Sequence, residues 1–265
     1  MIDKLLLSWE EYNKKIIHLP IPYIFTIRNL EKYLVFFGAK HCYDKKDSQF
    51  HQLREEWTKF LKETKEKNCL VLVEGGRISL ANSEDEGIRE DGESGLITFL
   101  AHRKNIPVKS PEPSDEYVYQ ELTKQFSREY IYYFRTVQRI CQWHRIPDES
   151  KKDLKTYLEQ GFLKRDQKES RWLDFDFSLE HIKIIHKNLF NKDFDENDKE
   201  FFWEISRPDR EIGILNKIAR VQGLIRDIYI VEQIKKYWDE GKNLFIVFGQ
   251  GHAVIQEPAL RVLLK

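Results

Sequence analysis

The sequence predicts an α/β protein with a mostly parallel sheet, built from two βαβ-type halves with a central helical insertion that forms a cap. Three observations predict this class. Apolar runs alternate with amphipathic stretches in the first third of the chain, long helical segments without a clear strand follow, and another buried-strand pattern comes near the end. We therefore expect a first α/β half over residues 1–114, a helical cap over 115–208 and a second α/β half over 209–265.

The first half shows the alternation that βαβ units produce. Five apolar residues recur at helical spacing between two short apolar runs, and such a pattern is typical of a helix that connects two parallel strands. In chain order, the predicted elements are a strand at Leu34–Phe37, a helix over Ser48–Lys67, a strand at Cys69–Val73, an acidic loop up to about Ser94, a helix near Gly95–Lys104 and a short strand within Ile106–Pro113.

The predicted cap is rich in aromatic residues. These rings are predicted to form the core of the helical segment, and the same rings could also wall a substrate pocket. They are Tyr117, Tyr119, Phe126, Tyr130, Tyr132, Tyr133, Phe134 and Trp143. A helix over Ile212–Val231 and a last strand at Asn243–Phe248 complete the predicted order.

Composition excludes several classes of partner. Lysine plus arginine and aspartate plus glutamate both total 44, and no basic stripe is sustained, so we expect neither a nucleic-acid nor a membrane partner. No apolar run approaches the roughly 18 residues of a membrane span, and we expect no secretory signal. Three cysteines without a CxxC spacing argue against a disulfide framework or zinc knuckle, which predicts a cytoplasmic protein. The oligomeric state stays open, a homo-oligomer included.

A Gly-x-x-His motif occurs twice, each time after an apolar run typical of a buried strand. The motifs are Gly38-Ala-Lys-His41 and Gly249-Gln-Gly-His252. Glycine lets the chain turn sharply where a parallel strand ends, and open α/β sheets bind their ligands at that edge. Imidazole is both a common metal ligand and a base near neutral pH. Either histidine alone would be read as structural, but the pair is interpreted as two site histidines.

Glu74 directly follows the predicted strand Cys69–Val73. If this strand and the one before His41 are neighbours, their ends lie about 5 Å apart, so Glu74 and His41 could share a ligand or a water. The alternative is a solvent-facing residue after a strand. Gly75 and Gly76 favour the functional interpretation, because they allow a ligand to approach the backbone closely.

Arg226 lies beside Asp227 in the helix predicted before the last strand. An arginine and an aspartate on the surface of an amphipathic helix ordinarily form a solvated ion pair. From these residues alone we expect no more than that.

Taken together, the two Gly-x-x-His motifs, Glu74 in Val73-Glu-Gly-Gly and Arg226 in Ile225-Arg-Asp227 resemble the TraB/Tiki superfamily, which also includes erythromycin-esterase-like and ChaN-like proteins. The segment Val108–Pro113 is similar to the family pattern as well. The resemblance covers roughly residues 30–113 and 210–260. Its branches are described as metal-dependent peptidases, as hydrolases with a histidine base and as haem binders.

The resemblance implies roles for four residues. It implies that His41 and His252 are metal ligands or bases, that Glu74 is a ligand or proton acceptor, and that Arg226 stabilises an anion or a transition state. The leading hypothesis is a hydrolase in which a divalent metal (Mn, Co or Zn) on His41, Glu74 and His252 activates water for amide or ester cleavage of a small-molecule or peptide substrate. In a metal-free version, one histidine is the general base.

Two other functions stay open. In the first, the same histidines bind haem or another small molecule without turnover. In the second, the protein is an interaction protein whose site is vestigial.

Overall fold

Five β-strands form one sheet in the described part of the chain, which comprises residues 2–29, 31–75, 80–146 and 151–265 of a computed structural model. They are β1 (Tyr23–Arg28), β2 (Tyr33–Ala39), β3 (Cys69–Val73), β4 (Val108–Lys109) and β5 (Asn243–Gly249). The spatial order is β1-β2-β5-β3-β4, and every neighbouring pair is parallel except β1 with β2. The predicted α/β class with a mostly parallel sheet is confirmed.

The last strand, β5, lies in the middle of this sheet. Leu244 is in register with Leu34 of β2 on one side and with Leu70 of β3 on the other. The expectation that β2 and β3 are neighbours is therefore wrong. Every residue of β5 is buried, as expected for an apolar run covered on both faces.

A helix follows each of the strands β2 and β3, as the alternation in the first third of the sequence predicts. The described helices are α1 (Trp9–Ile16), α2 (Ser48–Thr64), α3 (Glu84–His102), α4 (Asp115–Thr123), α5 (Arg128–Trp143), α6 (Leu154–Leu158), α7 (Lys164–Ser170), α8 (Leu179–Phe190), α9 (Lys199–Ser206), α10 (Ile214–Asp239) and α11 (Gln250–Leu263), with a π-helical turn at Glu159–Leu163. Among them, none combines the length and apolar character that a bilayer crossing requires.

The chain divides into two compact units. One comprises Met1–Glu112 with Arg226–Lys265, and the other comprises Pro113–Ile225. Residues 209–225, predicted as part of the second α/β segment, therefore belong to the helical unit, and α10 contributes residues to both units.

The α/β unit has an apolar core on each face of its sheet. Successive side chains of a strand point to opposite faces. Accordingly, Val35 and Phe37 pack with α2 and α3, whereas Leu34 and Phe36 pack with α11 and the end of α10. The sheet is thus covered by apolar packing on both faces. Polar residues can therefore gather where the strands end, at the carboxyl edge of the sheet.

The helical unit is built around most of the aromatic residues that the sequence singles out; the prediction is wrong for Tyr117, which is 37% exposed and lies outside the core cluster. Tyr119, Tyr132, Tyr133 and Phe134 are all less than 2% exposed and belong to one core cluster. Their prediction as core residues is confirmed.

The acidic stretch before Ser94 is helical, in contrast to the predicted loop. Ser83 caps the start of α3, where its hydroxyl accepts the Glu86 N–H. Three acidic residues follow in the first turn, and negative charge is favourable at the N-terminus of a helix. The helix is broken once, at Asp91 and Gly92, so it bends within the acidic stretch.

Candidate active site

Glu74 lies at the centre of a polar cluster at the carboxyl edge of the sheet, one residue beyond β3. Its Oε2 accepts the backbone N–H of Gly249 at 2.7 Å, and its Oε1 accepts from Arg226 Nη2 at 3.3 Å. The side chain is 20% exposed. Gly75 follows it with a positive φ, and Gly76 lies outside the described residues. Glu74 is therefore fixed by donors on both oxygens and still reaches solvent.

The two motif histidines face opposite oxygens of Glu74. His41 Nε2 is 3.5 Å from Oε2, and His252 Nε2 is 3.6 Å from Oε1. The exposed fraction of the His41 side chain is 57%, against 16% for His252. The structure therefore brings together all four sequence-predicted residues, with one open and one enclosed imidazole.

β5 lies between β2 and β3, so it also lies between the loops that carry His41 and Glu74. Gly249 allows these two side chains to come close together. His41 and Glu74 must approach each other across the end of β5, where Gly249 is the last residue. A Cβ atom on Gly249 would lie 2.5 Å from His41 Nε2 and 3.4 Å from Glu74 Oε2. The absence of a side chain at this position therefore leaves the space in which the imidazole and the carboxylate meet.

Asp227 is a site residue that the sequence reasoning missed. Its carboxylate is 2% exposed, and Oδ1 lies 2.6 Å from His252 Nδ1 and accepts from Gln256 Nε2 at 2.7 Å. The expected solvated ion pair with Arg226 is thus wrong for Asp227. A carboxylate at one ring nitrogen of a histidine orients the ring and selects which nitrogen carries the proton.

Arg226 is held by two glutamates. Its Nε and Nη2 donate to the two oxygens of Glu112 at 3.0 and 2.6 Å, and Nη2 also reaches Glu74. Such a two-point pairing between guanidinium and carboxylate fixes the plane of the arginine. Glu112 lies in the proline-ended segment singled out by the sequence, but its role there is not apparent from the pattern.

Glu93 approaches His41 from the side opposite Glu74. This side chain of α3 is buried, its Oε1 accepts the Cys42 N–H at 2.7 Å, and its Oε2 lies 3.9 Å from His41 Nδ1. Each site histidine thus has Glu74 near Nε2 and a second carboxyl group near Nδ1.

The electrostatic environment shifts the pKa values of Glu74, His252 and Arg226. Burial opposes ionisation of Glu74, but the charges of His252, Arg226 and His41 and the Gly249 hydrogen bond outweigh it and lower its pKa to about 2. Burial likewise opposes the charged form of His252, but Asp227 and Glu74 raise its pKa above the usual 6.5. For Arg226, Glu112 and Glu74 outweigh burial and raise the pKa further. The cluster therefore favours an ionised Glu74 and raises the pH above which His252 is neutral and can act as a base.

The leading hypothesis from the sequence places a divalent metal on His41, Glu74 and His252, and the donor set at these residues bears on it. Within the described ranges, no group of three or more His, Cys, Asp or Glu side chains is arranged to hold a metal ion. Both Glu74 oxygens already accept N–H groups, one of them from a cationic guanidinium. A divalent ion there would meet the like charge of Arg226, which is itself paired with Glu112. Because one N–H donor already occupies each Glu74 oxygen, the metal-free version of the hypothesis fits these residues better than a resident divalent metal does.

A surface cavity of about 720 Å³ also lies in the α/β unit, away from these residues. Its lining includes Trp57, Lys62, Glu66, Arg103 and Lys104. Its acid, Glu66, forms an exposed ion pair with Lys104. Proton-transfer groups converge at Glu74 instead, and this convergence rather than cavity volume marks the candidate site.

Comparison with protein-family models, curated proteins and solved structures finds no match for this chain.

Proposed function

We propose that this protein is a hydrolase of the TraB/Tiki type that cleaves an ester or amide bond of a small molecule or peptide, with His252 as a metal-free general base. One observation carries the proposal. His252 is held between two carboxylates, with Nδ1 at 2.6 Å from Asp227 and Nε2 facing Glu74 at 3.6 Å. This is the arrangement that a base needs in order to present one defined nitrogen.

In the proposed reaction, His252 Nε2 takes a proton from water as the oxygen attacks the carbonyl carbon. Asp227 stabilises the imidazolium that forms, because its charge lies at hydrogen-bond distance from Nδ1. The tetrahedral intermediate then collapses, and the same proton passes to the leaving oxygen or nitrogen. Water is consumed, and one carboxylic acid and one alcohol or amine are released.

Glu74, Arg226 and His41 have supporting parts in this proposal. Glu74 lies between the two imidazoles and orients water toward His252. Arg226 fixes Glu74 and adds positive charge where the oxyanion develops. His41, the more exposed imidazole, lies on the side that a substrate can reach.

We also propose a reducing compartment such as the cytoplasm for this activity. Cys42, Cys69 and Cys141 are all free thiols, which suits such a compartment.

The test is hydrolysis of p-nitrophenyl acetate and of a panel of small esters, amides and peptides by wild type, His252→Gln and Glu74→Gln. We expect both substitutions to reduce kcat on the order of 10²- to 10⁴-fold, the usual contribution of a positioned base. His51→Gln is the matched control, since His51 is an exposed histidine of the same unit. A coloured or ligand-loaded protein that keeps its ligand in Glu74→Gln would instead support the binding function.

Removal of metal tests the metal-free version separately. Dialysis against a chelator should leave the activity unchanged, because the proposed base needs no metal. Elemental analysis of the same preparations provides the check. Stoichiometric manganese, cobalt or zinc that is lost from both His41→Ala and His252→Ala would contradict the proposal and restore the metal-dependent alternative.

A further inference from the structure

The surface cavity of about 720 Å³ in the α/β unit is lined by the C-terminal ends of α2 and α3 and by residues that follow them. Its volume falls in the range of about 300–1,000 Å³ that is typical of small-molecule sites. Glu66 lines it shortly before β3 begins, and Glu74 directly follows β3. The five residues of β3, about 16 Å of strand, therefore separate the cavity from the candidate active site.

The least exposed residues that line the cavity are apolar. Trp57 is 4% exposed, and its ring packs edge-on against Phe245 of β5 with the ring centroids 5.2 Å apart. Leu61 and Leu100 are partly buried and pack against the same core cluster. We call Trp57, Leu61 and Leu100 the apolar floor of the cavity. Because the core holds this floor in place, an apolar ligand would meet a preformed surface.

Four basic side chains and one acidic side chain surround the apolar floor. The basic ones, which we call the basic rim, are Lys62, Lys65, Arg103 and Lys104. The acidic one is Glu66, which pairs with Lys104 at 2.7 Å. Within the described ranges, the other three cations of the rim form no ion pair with a carboxylate. The cavity therefore carries an excess of positive charge.

The helix ends explain only part of this excess. A cation is favourable at the C-terminus of a helix, and Lys62 and Arg103 lie at the ends of α2 and α3. This leaves Lys65 without a partner, whereas Lys59 on the same helix as Lys62 is paired with Glu56. The whole chain has equal numbers of acidic and basic residues. Two separate segments thus bring a local positive charge to one apolar cavity, and such a charge attracts anions.

We propose that this cavity binds a small amphiphilic organic anion, whose acidic head lies on the basic rim and whose alkyl or aryl body covers the apolar floor. Exposed ion pairs are weak one by one, so the head alone would bind poorly. Burial of the apolar body adds the affinity that the charges lack. A concave site of this size encloses a free small molecule, which is the occupant proposed. Binding here does not depend on the proposed hydrolase function.

Calorimetric titration with acetate, hexanoate and octanoate tests both parts of the cavity. We expect octanoate to bind one to one, with affinity rising up to about fourfold for each methylene that is buried. Octan-1-ol has the same apolar body without the charge, and it should bind more weakly. Added salt should weaken octanoate and leave octan-1-ol nearly unchanged, because it screens exposed charges.

A double variant, Lys65→Gln with Arg103→Gln, tests the basic rim. We expect it to lower the affinity for octanoate on the order of tenfold through loss of two cations. Lys45→Gln with Lys59→Gln is the matched control. It removes the same charge from two exposed lysines of the same unit that already pair with Asp85 and Glu56, and the affinity should stay within about twofold.

Several results would overturn the proposal. They are a wild type that does not bind octanoate, equal losses in the two double variants, and inorganic phosphate that binds as tightly as octanoate. Loss of binding in Glu74→Gln but not in the rim variant would assign octanoate to the candidate active site instead. Rim-dependent binding to phosphatidylglycerol vesicles without octanoate binding would assign the cavity to a membrane surface. The wild-type titration needs no substitution, so the proposal stays refutable if a variant does not fold.

Discussion

Asp227 is an almost fully buried carboxylate that serves two donors, His252 and Gln256, spaced one turn apart on α11. A buried charge is tolerated when it is paired and hydrogen-bonded. The charge and hydrogen bond of Asp227 also help to raise the pKa of His252. The proton affinity of His252 is therefore a property of the pair, and it should change when Asp227 changes.

Asp227→Asn should move the pH dependence of hydrolysis. Without the carboxylate charge, the pKa of His252 falls, so the acid limb of the kcat/KM profile shifts to lower pH. The rate on the plateau should also fall, on the order of 10²- to 10⁴-fold, because the imidazolium loses its partner. The pH–rate profile and an NMR titration of His252 are the measurements.

Asp239→Asn provides the control for this substitution. Asp239 is an exposed residue at the end of the same helix and pairs with Lys235. An acid limb that stays in place in Asp227→Asn would contradict the assignment of His252 as the base.

The pattern around Asp227 shows why the sequence did not reveal it. On a helix of mixed character, a charged residue beside an arginine is usually solvated, and nothing in residues 223–229 distinguishes this case. Its burial depends on α11, whose donors follow it by 25 and 29 residues. A polar residue that precedes a Gly-x-x-His motif on the neighbouring helix is the signal to look for.

The carboxyl end of β5 is the element on which the site depends. This strand separates the loops that carry His41 and Glu74. Its last residue, Gly249, has no side chain that would fill the space between them. The backbone of Gly249 has φ −57° and ψ 147°, which other residues adopt without strain. The requirement for glycine is therefore one of space.

Gly249→Ala should damage the site and spare the fold. The added Cβ would lie 2.5 Å from His41 Nε2, and the flexible imidazole can move away from it. We expect hydrolysis to fall on the order of 10²-fold through misplacement of His41. The free energy of unfolding should change by less than about 1 kcal/mol. Steady-state kinetics and urea unfolding of the same preparation test both statements.

Gly251→Ala is the control from the same motif. A Cβ there would meet only Tyr12 Oη, at an ordinary contact distance of 3.6 Å. Equal losses of activity in the two variants would show that space beside His41 is not the reason for Gly249.

Two elements show where local patterns carry information and where they do not. Ser83 and Glu86 have the Ser-x-x-Glu spacing that begins many helices, so the helical start of α3 was predictable from the sequence. The edge strand β1 also alternates at Phe25 and Ile27, a signal that the nearby prolines obscured. By contrast, no local pattern gives the position of β5 between β2 and β3, because strand order depends on long-range pairing.

For the molecule as a whole, two site residues make the free energy of unfolding depend on pH in opposite directions: the contribution of Glu74 is lost toward acid pH, and that of His252 is lost toward alkaline pH. The pKa of Glu74 is lowered from 4.5 to about 2, so its contribution is present above pH 4.5 and is lost as pH falls through about 2. The raised pKa of His252 gives a contribution that is present below 6.5 and is lost as pH rises through the folded value. Both contributions therefore coexist on the acid side of neutrality.

Glu74→Gln should make the free energy of unfolding fall less steeply as the pH is lowered. The lowered pKa of Glu74 corresponds to about 3 kcal/mol of stabilisation at neutral pH, which the variant cannot gain or lose. Urea unfolding followed by tryptophan fluorescence at about pH 7 and about pH 3 measures the effect. Glu232→Gln, on the exposed face of α10, controls for the loss of one negative charge. An unchanged acid decline in Glu74→Gln would contradict the assignment.

The fold class, most strands and the residues His41, Glu74 and His252 could be predicted because each depends on local periodicity or on a short motif, whereas Arg226 was singled out only by the family resemblance. Leu34–Phe37, Cys69–Val73 and Asn243–Phe248 are continuous apolar runs, which is how buried parallel strands are recognised. Asp227, Glu93 and Glu112 could not be found in this way. Their roles arise only after folding brings separate segments together.

The position of β5 also has a consequence for biosynthesis. Tyr33 bonds to Asn243, a partner 210 residues later in the chain. β1 and β2 are close in sequence and can pair as soon as both leave the ribosome, whereas β2 and β3 must wait for β5, the parallel strand that lies between them. The nascent chain therefore carries two of its apolar strands without that neighbour through most of translation, and His41 meets Glu74 only after Gly249 has been added.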